Sequence, residues 1–487
     1  MKNNNPSIKK NYIYNTLYQI FTLITPLITA PYISRVLGAE GVGIQSYTNS
    51  IATYFTLAAA LGTAQYGQRE IAMHRDDPHE CSKTFWEIEV LSIISTIIVT
   101  FIWCIWIVIT SQYKPYYITL TILVLAVAFD ISWYFAGKEQ FQYIVLKNAA
   151  FKLIGIILLF VFIKKCDDLL LYIFILSTSQ FLGNLSMWTY LKGSCEKVPL
   201  KQLNIKRHVK QTFAYFIPTI ATSVYTVLDK TMIGVITNDV KENGYYEQAT
   251  KIVKMAETLI FSLNTVMSSR MSYLYSQDKY DEIKEKIYKS FDFLMMLSIP
   301  LTFGIIGVAN NFVPWFFGRD YGPVVYLLYT MAPIIVVITI SNILGSQYLT
   351  PSGQRVRSSK AIIIGAVTNF MLNSLLIPQW GAVGATIASV ISELVISCIY
   401  MYMSVNVIHW SNVLATMWKR LIAGGIMLAG LFAIENSHTG SIAITLLQIV
   451  AGIGIYSICL ALLKDELFLM IFKQSANKAK KKICHGS

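Results

Sequence analysis

Charge is scarce in this 487-residue chain: Asp, Glu, Lys and Arg together make up 14% of it, where a soluble protein carries roughly 25%. So little charge cannot clothe a water-facing surface of this size, which excludes an ordinary soluble multidomain protein. Cysteine patterning is missing too. The seven cysteines, at 81, 104, 166, 195, 398, 459 and 484, form no CxxC or metal-type spacing, and the six histidines have no ligand spacing on a helix. No structural metal, disulfide framework or cofactor is expected. There is no GxSxG, no HExxH and no phosphate-cradling loop, so no catalytic residue is nominated. The first apolar stretch is too long for a cleavable signal peptide, and no small-residue cleavage site follows it.

What is abundant is apolar sequence. Hydrophobic residues make up 54% and the mean hydropathy is +0.52. Candidate spans fall at 12–35, 43–65, 85–110, 116–136, 143–163 and 169–191, then at 209–236, 245–275, 287–311, 321–346, 361–377 and 382–405, and finally at 417–435 and 441–463. Most reach the ~20 residues that cross hydrocarbon as a helix. The alternating ten-residue segments of a barrel are absent, and unpaired backbone groups are intolerable in lipid. The expected fold is an all-α integral membrane protein with about fourteen transmembrane helices.

The basic residues test that map. With the N-terminus placed in the cytoplasm, alternate connections hold 31 Lys and Arg, among them Lys138, Lys147 and Lys152. The opposite side holds Arg35, Lys114, Lys164, Lys165, Lys241 and Arg319, and Lys230, Lys251 and Lys254 fall inside spans. Such a bias is a positive-inside signal that puts both termini in the cytoplasm. The net charge of +13 is therefore dispersed between spans, which argues against a nucleic-acid partner. The Lys-rich tail from Lys473 to Lys482 is suited to anionic lipid, and residues 278–293 read as a short surface helix.

Spans one to six and seven to twelve share a rhythm offset by roughly 200 residues, as parallel repeats would. Gly41–Gln45 and Gly244–Gln248 occupy matching places in it. The expected domains are an N-lobe at 1–191, a basic linker at 192–208, a C-lobe at 209–405, and two further spans with the tail at 406–487.

Charges inside spans cost ~2.5–3.5 kcal/mol each at the bilayer centre, which makes them pointers to function. Span eight carries Glu247, Lys251, Lys254 and Glu257; these are either an inward polar stripe or intrahelical ion pairs. Span seven carries Asp229 and Lys230. Span one ends at Arg35, and span two begins with Gln45, Tyr47 and Asn49. All lie in the outer half of the membrane, as the lining of a shared cavity would. Glu393 stands alone near the middle of span twelve. Asp130 orders the turn at Trp133–Gly137, and Pro26, Pro31, Pro218 and Pro300 kink their helices.

Several stretches then resemble a known family. Pro31-Tyr-Ile-Ser-Arg-Val-Leu-Gly38 followed by Gly41-Val-Gly-Ile-Gln-Ser-Tyr47 resembles the first two spans of Wzx-type polysaccharide repeat-unit flippases. So do Tyr66-Gly67 with Arg69-Glu-Ile-Ala72, and Asp130-Ile-Ser-Trp-Tyr-Phe-Ala-Gly137. Gln347-Tyr-Leu349, Pro351-Ser-Gly353, Asn369, Asn373 and Gly381-Ala-Val-Gly-Ala385 with Glu393 resemble its later half. The resemblance implies the multidrug/oligosaccharidyl-lipid/polysaccharide (MOP) exporter fold in a bacterial plasma membrane, two six-helix lobes plus two helices, working by alternating access. It implies a cargo of undecaprenyl-diphosphate-linked oligosaccharide moved to the outer leaflet for capsule or O-antigen. Arg35 resembles the family's span-one arginine and is a candidate diphosphate partner. Gln45, Tyr47, Asn49, Lys230, Lys251 and Lys254 complete the expected substrate cavity, and Tyr225 and Trp133 are further candidate sugar faces. Asp229, Glu247 and Glu393 are the ion-coupling candidates. The prenyl tail is expected in a groove near spans thirteen and fourteen. Besides the lipid-linked cargo, the partners implied are membrane lipids and polysaccharide polymerase machinery. The alternatives are a multidrug-type exporter or a peptidoglycan-precursor lipid exporter of the same superfamily. A membrane polysaccharide polymerase or ligase fits less well, because every external connection is short.

Overall fold

The computed structural model describes residues 8–434 and 440–474, and among them there is helix and no strand. Nine segments among the described residues are long and apolar enough to cross a membrane. The chain divides into two compact units, the first ending at Gly244 and the second running from Tyr245 to Ser487.

The first unit opens with α1 (Ile8–Ala60), which holds Pro26 and Pro31 and leaves helical geometry at Gly38 (φ 66°, ψ 178°). An L side chain resists that left-handed φ, so glycine marks the place where two helices join. Next comes the short, amphipathic α2 (Thr63–Met73). The run Asp-Pro-His-Glu then starts α3 (Pro78–Ile109): Asp77 Oδ1 accepts from the backbone N–H of His79 at 3.0 Å and Glu80 at 3.1 Å, and Pro78 needs no acceptor. On its lipid side α3 exposes Ile97, Phe101, Val108 and Ile109, a face that suits hydrocarbon.

The following span is broken. α4 (Lys114–Leu125) passes through a 3₁₀ turn at Ala126–Phe129 into α5 (Ser132–Gly137). Asp130 Oδ1 accepts from Ser132 N–H at 3.0 Å and so orders this turn. α6 (Phe141–Phe162), α7 (Leu169–Ser186) and the single turn α8 (Trp188–Leu191) complete the set before α9 (Lys206–Ile236). Glu87 of α3, fully buried, holds the start of α9. It pairs with Arg207 at 2.6 Å and accepts from His208 Nε2 at 2.7 Å and from Asn204 N–H at 2.7 Å. Tyr66 O–H donates to His208 Nδ1 at 2.6 Å, and burial pushes its phenol up to about 12.

Where α10 (Val240–Tyr275) begins, its first turn meets the second half of α1 backbone to backbone. A Cβ on Gly43 would stand 2.8 Å from the Val240 carbonyl carbon, and one on Gly244 2.9 Å from that of Ala39. Each glycine thus sits on the residue four before the other. Gly43 and Gly244 therefore play the same part on the two sides of this contact.

In the second unit, α11 (Tyr280–Phe316) is continuous from the surface segment at 280 into its span. Ile283, Ile287 and Phe291 are buried, so the expected short surface helix is about the first four turns of a longer one. α12 (Pro323–Met331) and α13 (Ile334–Ile343) follow, and the latter runs into a π-helical turn at Leu344–Leu349 that contains the Gln347-Tyr-Leu349 motif. α14 (Arg355–Ser404) bends at Gly381 (φ 53°, ψ −132°). α15 (Trp410–Ile434) and α16 (Ile442–Leu462) pack on α11. Apolar packing gains little over lipid contact inside a membrane, so polar fasteners carry specificity. Arg420, 1% exposed, donates to Asp465 at 3.0 Å and to the Asp292 backbone carbonyl at 2.7 Å. Gln448 joins α16 to two neighbours: its Nε2 donates to the carbonyls of Leu431 at 3.1 Å and Gly307 at 3.3 Å, and its Oε1 accepts from Asn311 at 3.1 Å.

Candidate functional site

Each unit contains a cavity, and the two differ in chemistry. The first unit encloses about 390 Å3 between α1, α4, α6 and α7. Gln45 and Asn49, one turn apart on α1, line it, with Thr25 and Thr29 from the other side of the Gly38 bend. α6 contributes Lys147, Asn148 and Lys152, and α7 contributes Gln180. Lys147 is 6% exposed; its Nζ donates to Asn184 Oδ1 at 3.0 Å. Asn184 is fixed in turn by donating from Nδ2 to the Ala126 carbonyl at 2.8 Å, at the 3₁₀ break. That break frees a backbone carbonyl, the carbonyl orients an amide, and the amide holds the lysine.

The second unit forms an open groove of about 870 Å3 between α10, α11, α15 and α16, lined almost wholly by aliphatic and aromatic side chains. Gly304 and Gly452 keep it open, and Gln448, whose amide is already bonded to its neighbours, is its main polar contributor.

The other expected site residues are placed as follows. Arg35 is exposed on α1 just before the bend. Tyr47 is half-buried, its ring 6.0 Å from that of Tyr113. Asp229 is buried and Lys230 half-buried on α9, beside Thr231, whose Oγ1 lies 3.0 Å from both Ser50 Oγ and Tyr54 Oη. None of Arg35, Tyr47, Asp229 or Lys230 lines the first-unit cavity. In the second unit, Glu247 and Lys251 form an intrahelical ion pair at 3.4 Å, and Lys254 is exposed. Glu393 is buried on α14 and accepts from Ser341 Oγ at 3.5 Å. The side chain of Tyr225 lies outside the described residues.

Two expectations are corrected. Trp133 offers no face to a sugar: it is 3% exposed and stacked 5.4 Å from Phe85 in an aromatic core. Lys147 and Lys152 do not belong to a cytoplasmic connection. They lie six and eleven residues into α6, or ~9 and ~16 Å along a helix rising 1.5 Å per residue. The signal that could have found them is their placement within an otherwise apolar helix, where a lysine is rare without a task.

This architecture is shared with transporters of known structure. A solved structure of lipid II flippase MurJ in an inward closed conformation superposes with a TM-score of 0.70, covering 94% of this chain and 99% of that one at 17% identity. An inward-facing multidrug resistance MATE family transporter of the MOP superfamily gives 0.62, with 86% and 96% covered at 12% identity. The fold is therefore the one that these two transporters share. The profile of the polysaccharide biosynthesis protein family matches residues 8–274, more than half of the sequence, and the chain belongs to that family. The profile of lipid II flippase MurJ matches residues 154–452. An Escherichia coli (strain K12) protein named "Putative O-antigen transporter" is 24% identical over 413 residues, which is 83% of this chain and 99% of that one.

Proposed function

We propose that the chain is a flippase that carries undecaprenyl-diphosphate-linked oligosaccharide repeat units from the cytoplasmic to the outer leaflet, for capsule or O-antigen synthesis. The observation that carries this reading beyond family membership is the large apolar cavity of the second unit, bordered by α15 and α16. A small polar solute has no use for such a space, whereas a prenyl chain loses nothing on leaving lipid for it. Sugars and diphosphate cannot cross ~30 Å of hydrocarbon without a hydrated path, and the polar, lysine-bearing cavity of the first unit supplies groups for such a head.

In this reading fourteen spans form two six-helix lobes at 1–191 and 209–405, joined by the basic linker and followed by two helices and the tail. Both termini are cytoplasmic. The lobes alternate access, with Arg35, Gln45, Tyr47, Asn49, Lys230, Lys251 and Lys254 toward the cargo. Asp229, Glu247 and Glu393 are the coupling groups, polysaccharide polymerase machinery receives the product, and the chain catalyses no covalent step. The bends at Gly38 and Gly381 give such a motion places to pivot. The test is complementation in a bacterial host deleted for its own repeat-unit flippase. Surface polysaccharide returns and lipid-linked oligosaccharide no longer accumulates on the cytoplasmic leaflet if the reading holds; persistent accumulation with the protein in the membrane refutes it.

A further inference from the structure

The buried lysine of the first unit is electrically unbalanced. An ammonium carries three donors, and among the described residues Lys147 Nζ places one, on the neutral amide oxygen of Asn184. It takes part in none of the ion pairs formed among the described residues. Asp130 acts on it through its field alone, from beyond ion-pairing distance. Lys152, about one and a half turns further along the same helix, stands over the Phe21 ring at 5.7 Å. A buried charge with no carboxylate within ion-pairing distance is costly, and a second, half-buried lysine in the same cavity repels it as well. The same cavity presents Gln45, Asn49 and Asn148, planar amides that can both donate and accept, and the ring of Tyr172. Its volume of about 390 Å3 falls in the range of roughly 300–1,000 Å3 typical of small-ligand sites.

We propose that this cavity within the first unit is an oxyanion site for the cargo head, in which Lys147 and Lys152 neutralise a compact oxyanion of that head while the amides take the neighbouring sugar hydroxyls. The proposal rests on the flippase reading and adds a position and a charge requirement to it. The oxyanion comes either from an acidic sugar of the repeat unit or from the diphosphate that links sugar to lipid, and the shared chemistry is a compact oxyanion next to sugar hydroxyls. Amides and an aromatic ring alone would suit a neutral sugar; the two lysines are what demand the negative charge.

The experiment uses the full chain in a flippase-deficient host that makes one of two lipid-linked repeat units, identical except that a uronic acid in the first is a neutral hexose in the second. Transport is read as surface polysaccharide normalised to the amount of chain in the membrane, for wild type, Lys147→Gln, Lys152→Gln, Lys147→Arg and Lys152→Arg. Lys192→Gln, on the exposed linker, serves as the control. A loss of about tenfold or more on charge removal, with recovery in the arginine variants, is the expected result. Loss confined to the acidic cargo assigns the site to the sugar's carboxylate, and equal loss for both assigns it to the diphosphate. Unchanged transport of both cargos by Lys152→Gln overturns the site even if Lys147→Gln fails to reach the membrane, because Lys152 makes no ion pair or hydrogen bond among the described residues, only its approach to the Phe21 ring. A wild-type chain that moves neither cargo sinks the flippase reading itself, and that result is separable because it precedes any variant.

Discussion

Replacing Gly43 by valine tests whether the glycine contact between α1 and α10 is a closed gate on the side that the charge pattern assigns to the outside. A Cβ there would lie 2.8 Å from the Val240 carbonyl carbon and 3.1 Å from the Gly244 nitrogen, where unstrained carbon contacts are ~3.5–4.0 Å. The Val240 carbonyl oxygen would be closer still, so the two backbones must part by more than about 1 Å, which forfeits about half or more of each contact's attraction. Overpacking of this kind costs about 1–3 kcal/mol, equivalent to a shift of about 5–150-fold between two states. If the contact exists only in the outward-closed state, the substitution raises the outward-open population by that factor. The assay is labelling by a membrane-impermeant maleimide of a cysteine at Ile44, which is half-buried here, with the native cysteines replaced by serine. Gly244→Val, which would press on Ala39 in the mirror-image contact, must give the same acceleration. Unchanged labelling in both variants, with the protein present and folded, refutes the gate.

Other outcomes follow from single contacts. Arg420→Met leaves Asp465 buried without its cation and should cost about 3–5 kcal/mol of stability; thermal unfolding in detergent should show most of that loss reversed by adding Asp465→Asn. Gly304→Phe projects into the apolar groove from a position where a Cβ would meet little but Met427 Cε at 3.9 Å, so transport should fall severalfold at unchanged membrane abundance. Glu393→Gln, which keeps the shape of a carboxyl that accepts from Ser341, should alter the ion dependence of transport in vesicles. Identical dependence removes Glu393 from coupling.

The class of fold was legible because it follows from composition and run length. A chain with 14% charge and apolar runs throughout has no other way to satisfy its backbone in lipid. The breaks at Gly38 and Gly381 fall in the gaps that the apolar runs leave, between 12–35 and 43–65 and between 361–377 and 382–405. What could not be read was tertiary. Lys147 looks like any lysine near a span boundary until the 3₁₀ break at Ala126–Phe129 is seen to orient Asn184 beside it. Trp133 looks like a candidate face for a sugar until Phe85 is found stacked on it. The close approach of backbones at Gly43 and Gly244 could not be read either, because Gly41, Gly43 and Gly244 are alike in sequence.

The most direct test is reconstitution of the purified chain into vesicles holding undecaprenyl-diphosphate-linked oligosaccharide labelled on its sugar. An impermeant reagent should reach only the outer-leaflet pool in protein-free vesicles, and the whole pool once the chain is present. An inner-leaflet pool that stays protected with the folded chain in the membrane would contradict the account.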